Sequence, residues 1–512
     1  MTFVALAIGA ISFATSLVRW ARVAQREHYL PGGCTASAAR WVRARWENVV
    51  LLVLSVGALV GALVPGTGNP EAPVGTLLAT CTVCFPFWLR LRGVGRPLKW
   101  TRRLIVLAVV SIVIDAVAVV AAWAGELLHP TSIPAVAAAV LPLAFELGMR
   151  VTAPYERRIA RGFQQQAERT LRAVAPTVIA ITGSWGKTST KHHVRDLAQG
   201  WLPVAMSPAS FNNQAGLSRT MNEHLPAGTE LLVVEMGMYG PGEIRAMCDW
   251  VRPSIGVITS IGPMHLERVG SIAGIVAAKS EILEHTTTAV LWIETPELAT
   301  LADSITGQRV WRCGYVGNDR ADVTVQESDG RLHLWAEGQE IGATGVDPGL
   351  HPGNVACAVA ALLAAGAPRD VIAQRLAALQ APTHRLAVAH SPEGQVVIDD
   401  TFNSNPAGAR AALAALGEVT PGRRVVVTPG MFELGARQHD ENASFAEAVV
   451  RSGADLVVTG RSNRSALLEG ARRAGGDAVC VRDRPAAQQH LRSVLSAGDG
   501  VLWENDLPDH YP

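Results

Sequence analysis

The sequence is poor in lysine. Its 512 residues carry 45 lysines and arginines, and only Lys99, Lys187, Lys191 and Lys279 are lysines. Charge of either sign is scarce at 17% of residues, and it nearly cancels to +1. That balance implies neither a strongly basic face for nucleic acid nor an acidic partner surface. The seven cysteines are scattered and give no disulfide framework. Cys81 and Cys84 form a CxxC inside an apolar run without further ligands nearby, and read as two small apolar residues. No repeat of fixed period runs through the chain.

Apolar residues are in excess. A mean hydropathy of +0.21 is high for a soluble enzyme, and the cause is local. Residues 1–150 hold most of the long apolar runs, with five candidate membrane spans at 3–18, 49–64, 74–89, 104–123 and 133–149. The first lacks the basic start and small-residue cleavage site of a signal peptide and reads as an anchor. Arginines punctuate the runs. Arg19, Arg22, Arg26, Arg40, Arg43 and Arg45 follow the first; Arg90, Arg92, Arg96, Lys99, Arg102 and Arg103 follow the third; Arg150, Arg157, Arg158 and Arg161 follow the fifth. The loops at 65–73 and 125–131 have no lysine or arginine. Positive-inside asymmetry therefore predicts a multi-pass membrane protein, its N-terminus outside and everything after Arg150 cytoplasmic. Asp115 and Glu146 lie within spans, where a carboxylate is either functional or a helix-packing contact.

The soluble half is organised around residues 177–191, TVIAITGSWGKTSTK. A β-branched apolar run predicts a buried strand, Gly183-Ser184-Trp185-Gly186 a turn, and Lys187-Thr188-Ser189-Thr190 a helix start. That order is the setting of a phosphate-binding loop. Glycines let backbone N–H groups wrap phosphate oxygens, the helix N-terminus supplies free donors, Lys187 reaches terminal phosphates and Thr188 offers a hydroxyl to magnesium. Downstream, 230–237 reads as a buried strand ending in Glu235, placed for a magnesium ligand in a parallel α/β sheet. Asn212, Asn213 and Gln214 cluster in a loop, where asparagines commonly cap turns. Residues 156–174 predict a connecting helix, 322–341 a short strand-like insertion, and the segments RRVVVTPG, DLVVTG and AVCVR a second, smaller doubly wound domain. In so arginine-rich a chain, Lys279 invites a chemical reason: its amine could serve as a carbamate, or the residue is there by chance.

Six ordered motifs, TGSWGKTSTK, SFNNQAGL, VVEMGMYGPGEI, HLERVGSIAGIVAAKSEIL, DDTFNSNPAGARAAL and VVVTPGMFELGA, make residues 173–505 resemble the Mur ligase family, most similar to its MurF branch, which adds D-alanyl-D-alanine to a cell-wall precursor. The resemblance implies a fold of class α/β: a P-loop central domain at 173–382 and a smaller Rossmann-like C-terminal domain at 383–512, here preceded by a helical membrane domain at 1–150 and a connecting helix at 151–172. It implies an ATP-dependent amide (acid–amino-acid) ligase. Gly183, Ser184, Gly186, Lys187, Thr188, Ser189, Asn354, Arg385 and Asp400 would contact ATP. Thr188 and Glu235 would hold one magnesium ion; His265 and an N6-carboxylated Lys279 would serve a second. Lys187, His265, Lys279 and Arg385 would be catalytic. Asn212, Asn213, Asn403 and Asn405 would meet substrate, an amino acid or dipeptide joined to a carboxylate acceptor.

The chain departs from the family pattern in three places. His351-Pro-Gly-Asn354-Val-Ala-Cys357 puts a cysteine where a second asparagine is expected. The C-terminus reads LWENDLPDHYP in place of a basic segment, so acids replace bases at that edge. Membrane spans replace the domain that binds a UDP-sugar, which favours a lipid-linked acceptor. Two alternatives stay open: a polyglutamate-type polymer synthase, and a membrane scaffold that binds ATP without ligase chemistry.

Overall fold

The computed structural model describes residues 2–63, 71–87, 89, 91, 98–128, 130–264, 266–347, 349–380, 387–401 and 405–506. The chain divides into two compact units, one within the first 159 residues and one carrying both β-sheets.

The first unit is helical: α1 (Thr2–Arg26), α2 (Gly33–Ala44), α3 (Trp46–Leu63), α4 (Glu71–Cys84), α5 (Arg102–Ala124) and the start of α6 (Ile133–Val174). Among the described residues three helices are long and apolar enough to cross a membrane: Phe3–Arg26, Arg102–Ala124 and Ile133–Val174. The other two expected spans coincide with α3 and α4, which are 18 and 14 residues long. The stretches expected as a fifth span and as a connecting helix fall in one continuous helix, α6, of 42 residues. Pro142 lies inside it. A proline cannot bond the carbonyl four residues back, here that of Ala138, and the Ser16 hydroxyl donates to that oxygen instead at 3.0 Å.

The two acids within the apolar helices differ. The Glu146 carboxylate accepts from the backbone N–H of Gly32 and, at 2.9 Å, of Thr35, so it closes the N-terminus of α2. Asp115 is buried, and its Oδ1 has no hydrogen-bond partner among the described residues.

The second unit opens with β1 (Thr177–Thr182), α7 (Lys187–Leu197), β2 (Val204–Met206), α8 (Gln214–Glu223), β3 (Leu231–Glu235), α9 (Glu243–Val251) and β4 (Ile255–Ile258). It continues through α10 (Leu266–Val269), α11 (Ile272–Ser280), β5 (Thr288–Trp292), α12 (Pro296–Ser304) and β6 (Arg309–Tyr315). Then come β7 (Val323–Ser328), β8 (Arg331–Ala336), β9 (Gln339–Gly345), α13 (Pro352–Ala364) and α14 (Arg369–Leu376). The nine-stranded sheet runs β2-β3-β1-β4-β5-β6-β7-β8-β9. It is parallel up to β7, and the expected insertion adds β8 and β9 antiparallel at its edge. Strands β1, β3 and β4 are almost wholly buried, which explains why they read as unbroken apolar runs. Because β1 lies between β3 and β4, its carboxyl end sits where the strand order reverses, the usual place for a ligand crevice.

A six-stranded sheet follows, ordered β10-β11-β15-β12-β13-β14, from β10 (Ala387–His390), β11 (Val396–Asp400), β12 (Arg424–Thr428), β13 (Asp455–Thr459), β14 (Ala478–Val481) and β15 (Gly500–Glu504). Only β10 is antiparallel to its neighbour. Helices α15 (Pro406–Val419), α16 (Gln438–Arg451), α17 (Arg464–Arg473) and α18 (Arg484–Val494) complete this smaller doubly wound domain.

Candidate active site

The turn after β1 demands its glycines. Gly183 has φ +152° and Gly186 φ +84°. A Cβ at Gly183 would stand 2.1 Å from Thr259 Oγ1, and one at Gly186 would stand 2.2 Å from Asn354 Oδ1. Conformation and space both exclude a side chain. The segment after β4 pins the turn from outside. The Ser184 N–H donates to the Ser260 carbonyl at 2.9 Å and the Trp185 N–H to Ser260 Oγ at 2.8 Å. Ser184 Oγ accepts from the Gly262 N–H at 2.9 Å. The Trp185 ring lies against Gly262, where a Cβ would come within 2.1 Å of it.

Helix α7 starts at Lys187 with no side-chain cap, which leaves its first N–H groups and positive dipole end directed at the turn. Lys187 Nζ folds over that turn, donating to the carbonyls of Gly183 at 2.8 Å and Ser184 at 3.3 Å. The result is a rigid cup of donors under a lysine, suited to an anion.

Glu235 is brought beside it by the parallel register of β3 and β1, in which Ile181 pairs with Glu235. Its Oε2 accepts from the Thr188 hydroxyl at 2.8 Å, and its Oε1 from Asn212 Nδ2 at 3.0 Å. Lys191 Nζ lies 3.6 Å from Oε2. Burial pushes this carboxyl up, but the charges of Lys187 and Lys191 and the bonds from Asn212 and Thr188 outweigh it and hold the group below the ordinary carboxylate range. It is an anion at neutral pH. A hydroxyl and a carboxylate in contact are the oxygen donors a hard divalent cation takes, so Thr188 and Glu235 fit magnesium.

Lys279, at the end of α11, is buried. Burial, and then the nearby charge of Lys187, hold its ammonium well below the ordinary lysine value. Disfavouring the ammonium form favours the amine that attacks carbon dioxide, which is the direction a carbamate requires. His265, Arg385 and Asn403 lie outside the described residues. Among the described residues no group of three or more His, Cys, Asp or Glu is poised to hold a metal ion.

The remaining expected residues separate. Asn354, near the start of α13, meets Gly186. Cys357 does not face the turn: it is fully buried against Cys313 of β6, so that substitution belongs to the core. Asn213 and Asn405 cap helices α8 and α15, their Oδ1 atoms accepting from Gly216 N at 2.9 Å and Gly408 N at 3.0 Å. Asp400 ends β11, in register with Glu504 on β15. At the C-terminal edge the described acids differ, Asp506 being exposed beside Arg484 at 3.3 Å. Glu504 is fully buried and accepts from the Thr428 hydroxyl, while Asn505 Nδ2 donates to the Gly430 carbonyl at 2.7 Å. These two residues hold the turn after β12 rather than present charge outward.

Three contributors went unassigned in the sequence. Lys191 stood out through lysine scarcity but received no role. Ser260 carried no signal. Glu281, inside the Lys279 motif, caps α9 through the N–H groups of Gly242 at 2.7 Å and Arg245 at 3.0 Å.

Comparison with known proteins agrees with this geometry. The Mur ligase middle domain matches residues 181–365, and the Mur ligase glutamate ligase domain matches 384–504. The UDP-N-acetylmuramoyl-tripeptide–D-alanyl-D-alanine ligase of Mycobacterium leprae is 32% identical over 365 residues, covering 64% of this chain and 70% of that protein. The crystal structure of MurF from Acinetobacter baumannii aligns with a TM-score of 0.59 at 24% identity, over 68% of this chain and 77% of that one. MurF from Thermotoga maritima, solved with ADP, aligns with a TM-score of 0.58 at 23% identity, over 68% and 80%.

Proposed function

The chain belongs to the Mur ligase family of ATP-dependent amide-forming ligases, and from that premise we propose that it is a membrane-anchored, MurF-like enzyme that extends an envelope precursor held at the inner face of the bilayer. The observation that carries the reading is the constellation of Lys187, Thr188 and Glu235 at one glycine turn, with the buried Lys279 within electrostatic reach of Lys187.

In this reading an acceptor carboxylate attacks the γ-phosphorus of ATP, giving an acyl phosphate and ADP, and an amine then displaces phosphate to form the amide. The N-terminus of α7 and Lys187 bind the phosphates and offset the repulsion between two anions. Thr188 and Glu235 would hold magnesium, which supplies charge neutralisation when bound; His265 and a carboxylated Lys279 would hold a second ion. Arg385 and Asp400 contribute from the C-terminal domain to the nucleotide, and Asn354 contributes beside Gly186. Asn212 and Asn403 are assigned to substrate. The capping duties of Asn213 and Asn405 leave them a supporting part.

Support for the anchor comes from the surface of α5. Val113 and Val117 are 56% and 64% exposed, and exposed Trp100 and Trp123 flank the helix at either end. At roughly 1.5 Å per residue its 23 residues span about 34 Å, enough for a hydrocarbon core. Water is a poor solvent for such a face, and interfacial tryptophans are the usual anchors of a span. The acceptor is accordingly assigned as lipid-linked, and the second substrate as an amino acid or dipeptide.

The test is ADP release by the full-length protein in lipid nanodiscs, screened against amino acids and dipeptides with a membrane extract as acceptor source. Release that depends on both a particular amine and the extract is expected; hydrolysis indifferent to every amine points to the scaffold alternative. Carbon-13 bicarbonate should give a carbamate resonance that Lys279→Arg lacks. A resonance unchanged in that variant ends the carbamate assignment.

A further inference from the structure

We infer that Lys191 is a positioning residue: its buried ammonium holds the loop between β2 and α8 in a strained conformation that delivers Asn212 to Glu235. Lys191 lies one helical turn beyond Thr188 on the same face of α7, and its side chain is fully buried. The ammonium donates to the carbonyl of Ser207 at 2.9 Å and to that of Ala209 at 2.6 Å, and reaches Glu235 Oε2 at 3.6 Å.

Ala209 has φ +42°, in the left-handed region that a Cβ disfavours. An alanine held there needs its surroundings to over-determine it. One constraint is the ammonium on its own carbonyl. The other lies three residues on, where the Gly237 N–H donates to the Asn212 carbonyl at 2.7 Å and Asn212 Nδ2 donates to Glu235 Oε1 at 3.0 Å. Ser207, at the loop's start, is fixed to β3 through its N–H on the Val233 carbonyl at 2.9 Å and through Oγ, which accepts from the Glu235 N–H at 3.3 Å. The lysine thus ties the helix that carries the phosphate-binding residues to the loop that carries the SFNNQAGL motif, and the acid at its centre is shared by both. A point charge on a flexible stem can satisfy two carbonyls and a carboxylate at once; a planar guanidinium in a space with no exposed surface cannot, which accounts for a lysine in a chain that otherwise uses arginine.

The inference rests on the reading of Thr188, Glu235 and Asn212 as one set, but its test does not depend on catalysis. Hydrogen–deuterium exchange of the full-length chain is followed at residues 207–214 in the wild type, Lys191→Met, Ala209→Gly and the double variant. In Lys191→Met, exchange at 207–214 is expected to rise at least ten-fold while exchange in β1 and β4 stays within two-fold. Affinity for a fluorescent ATP analogue without magnesium should remain within three-fold of wild type, because Lys187 and the glycine turn are untouched. A glycine at 209 removes the strain, so the double variant should recover much of the lost protection. Lys191→Met that folds with 207–214 as protected as in the wild type overturns the inference. So does a double variant no better protected than Lys191→Met, or one that fails to fold, since either outcome makes the lysine a general core requirement instead of a support for this loop.

Discussion

Glu146 and Glu235 are two buried carboxylates, one in each unit, and they are put to different uses. Glu146 faces chiefly backbone N–H groups, those of Gly32 and Thr35, at the start of a helix, with the Thr35 hydroxyl farther off at 3.4 Å. Glu235 faces side chains: a hydroxyl, an amide and two ammonium groups. Backbone donors at a helix end need an acceptor wherever they occur, so a carboxylate there is explained by folding alone. Side-chain donors and cations gathered on one acid have no such obligation, and their convergence beside the glycine turn is what supports the proposed role of Glu235. Burial of an acid is therefore weak evidence of function until the kind of donor it meets is known.

Neutralising each acid separates the two uses most widely. Glu235→Gln removes the anion while keeping the shape, and ATP turnover is expected to fall by about 100-fold or more, since a charge that holds magnesium beside phosphate is worth several kcal/mol. Glu146→Gln should leave turnover within about two-fold and lower stability by about 1–2 kcal/mol, the value of a helix cap. Steady-state ADP release and thermal unfolding in the same nanodisc preparation give both numbers. A reversed pattern, with Glu146 catalytically essential and Glu235 dispensable, breaks the comparison.

The sequence showed the unit with both β-sheets far better than the helical unit, for a physical reason. A phosphate loop is local: strand, glycines, Lys187 and Thr188 lie within a dozen residues, and the turn needs each of them. Glu235 was legible because parallel strands place their carboxyl ends together. The partners of Lys191 were not, because they are carbonyls, and any residue can supply a carbonyl. The same limit hid Ser260. In the first unit, apolar runs showed that helices form but not where they end, since hydrophobicity does not fall at a helix terminus and Pro142 did not break α6. Cys357 and Glu504 share one lesson: a changed residue type in a motif need not change the site, because packing takes both side chains into the interior.

Buried histidine offers a smaller contrast within the catalytic unit. His193, on α7, is fully buried with neither ring nitrogen hydrogen-bonded among the described residues, and burial, then neighbouring His192, hold its pKa down to about 3 from the ordinary 6.5. The unfolded chain takes up a proton below 6.5 that the folded chain refuses. Stability is thus full above pH 6.5 and is lost progressively as pH falls toward 3. Between pH 6.5 and 5 the loss is on the order of 2 kcal/mol. His193→Leu should remove that dependence, so urea midpoints at pH 7.5 and pH 5 should draw closer in the variant. An unchanged difference assigns the acid sensitivity elsewhere.

The smallest expected effect divides two adjacent residues. Asn212 and Asn213 look alike in sequence, but one sends its amide N–H to Glu235 and the other turns its oxygen onto the Gly216 N–H at the start of α8. Asn213→Ala should therefore cost about 1 kcal/mol of stability, as the loss of an N-cap does. Asn212→Ala, which removes a donor from a carboxylate, should change the magnesium concentration needed for half-maximal nucleotide binding more than it changes the melting temperature. The pair carries the contrast between Glu146 and Glu235 down to neighbouring positions: a side chain that serves the backbone is read by unfolding, and one that serves another side chain is read by ligand binding. Equal melting shifts with equal magnesium dependence in the two variants would show that the direction of a hydrogen bond is not enough to tell the two duties apart.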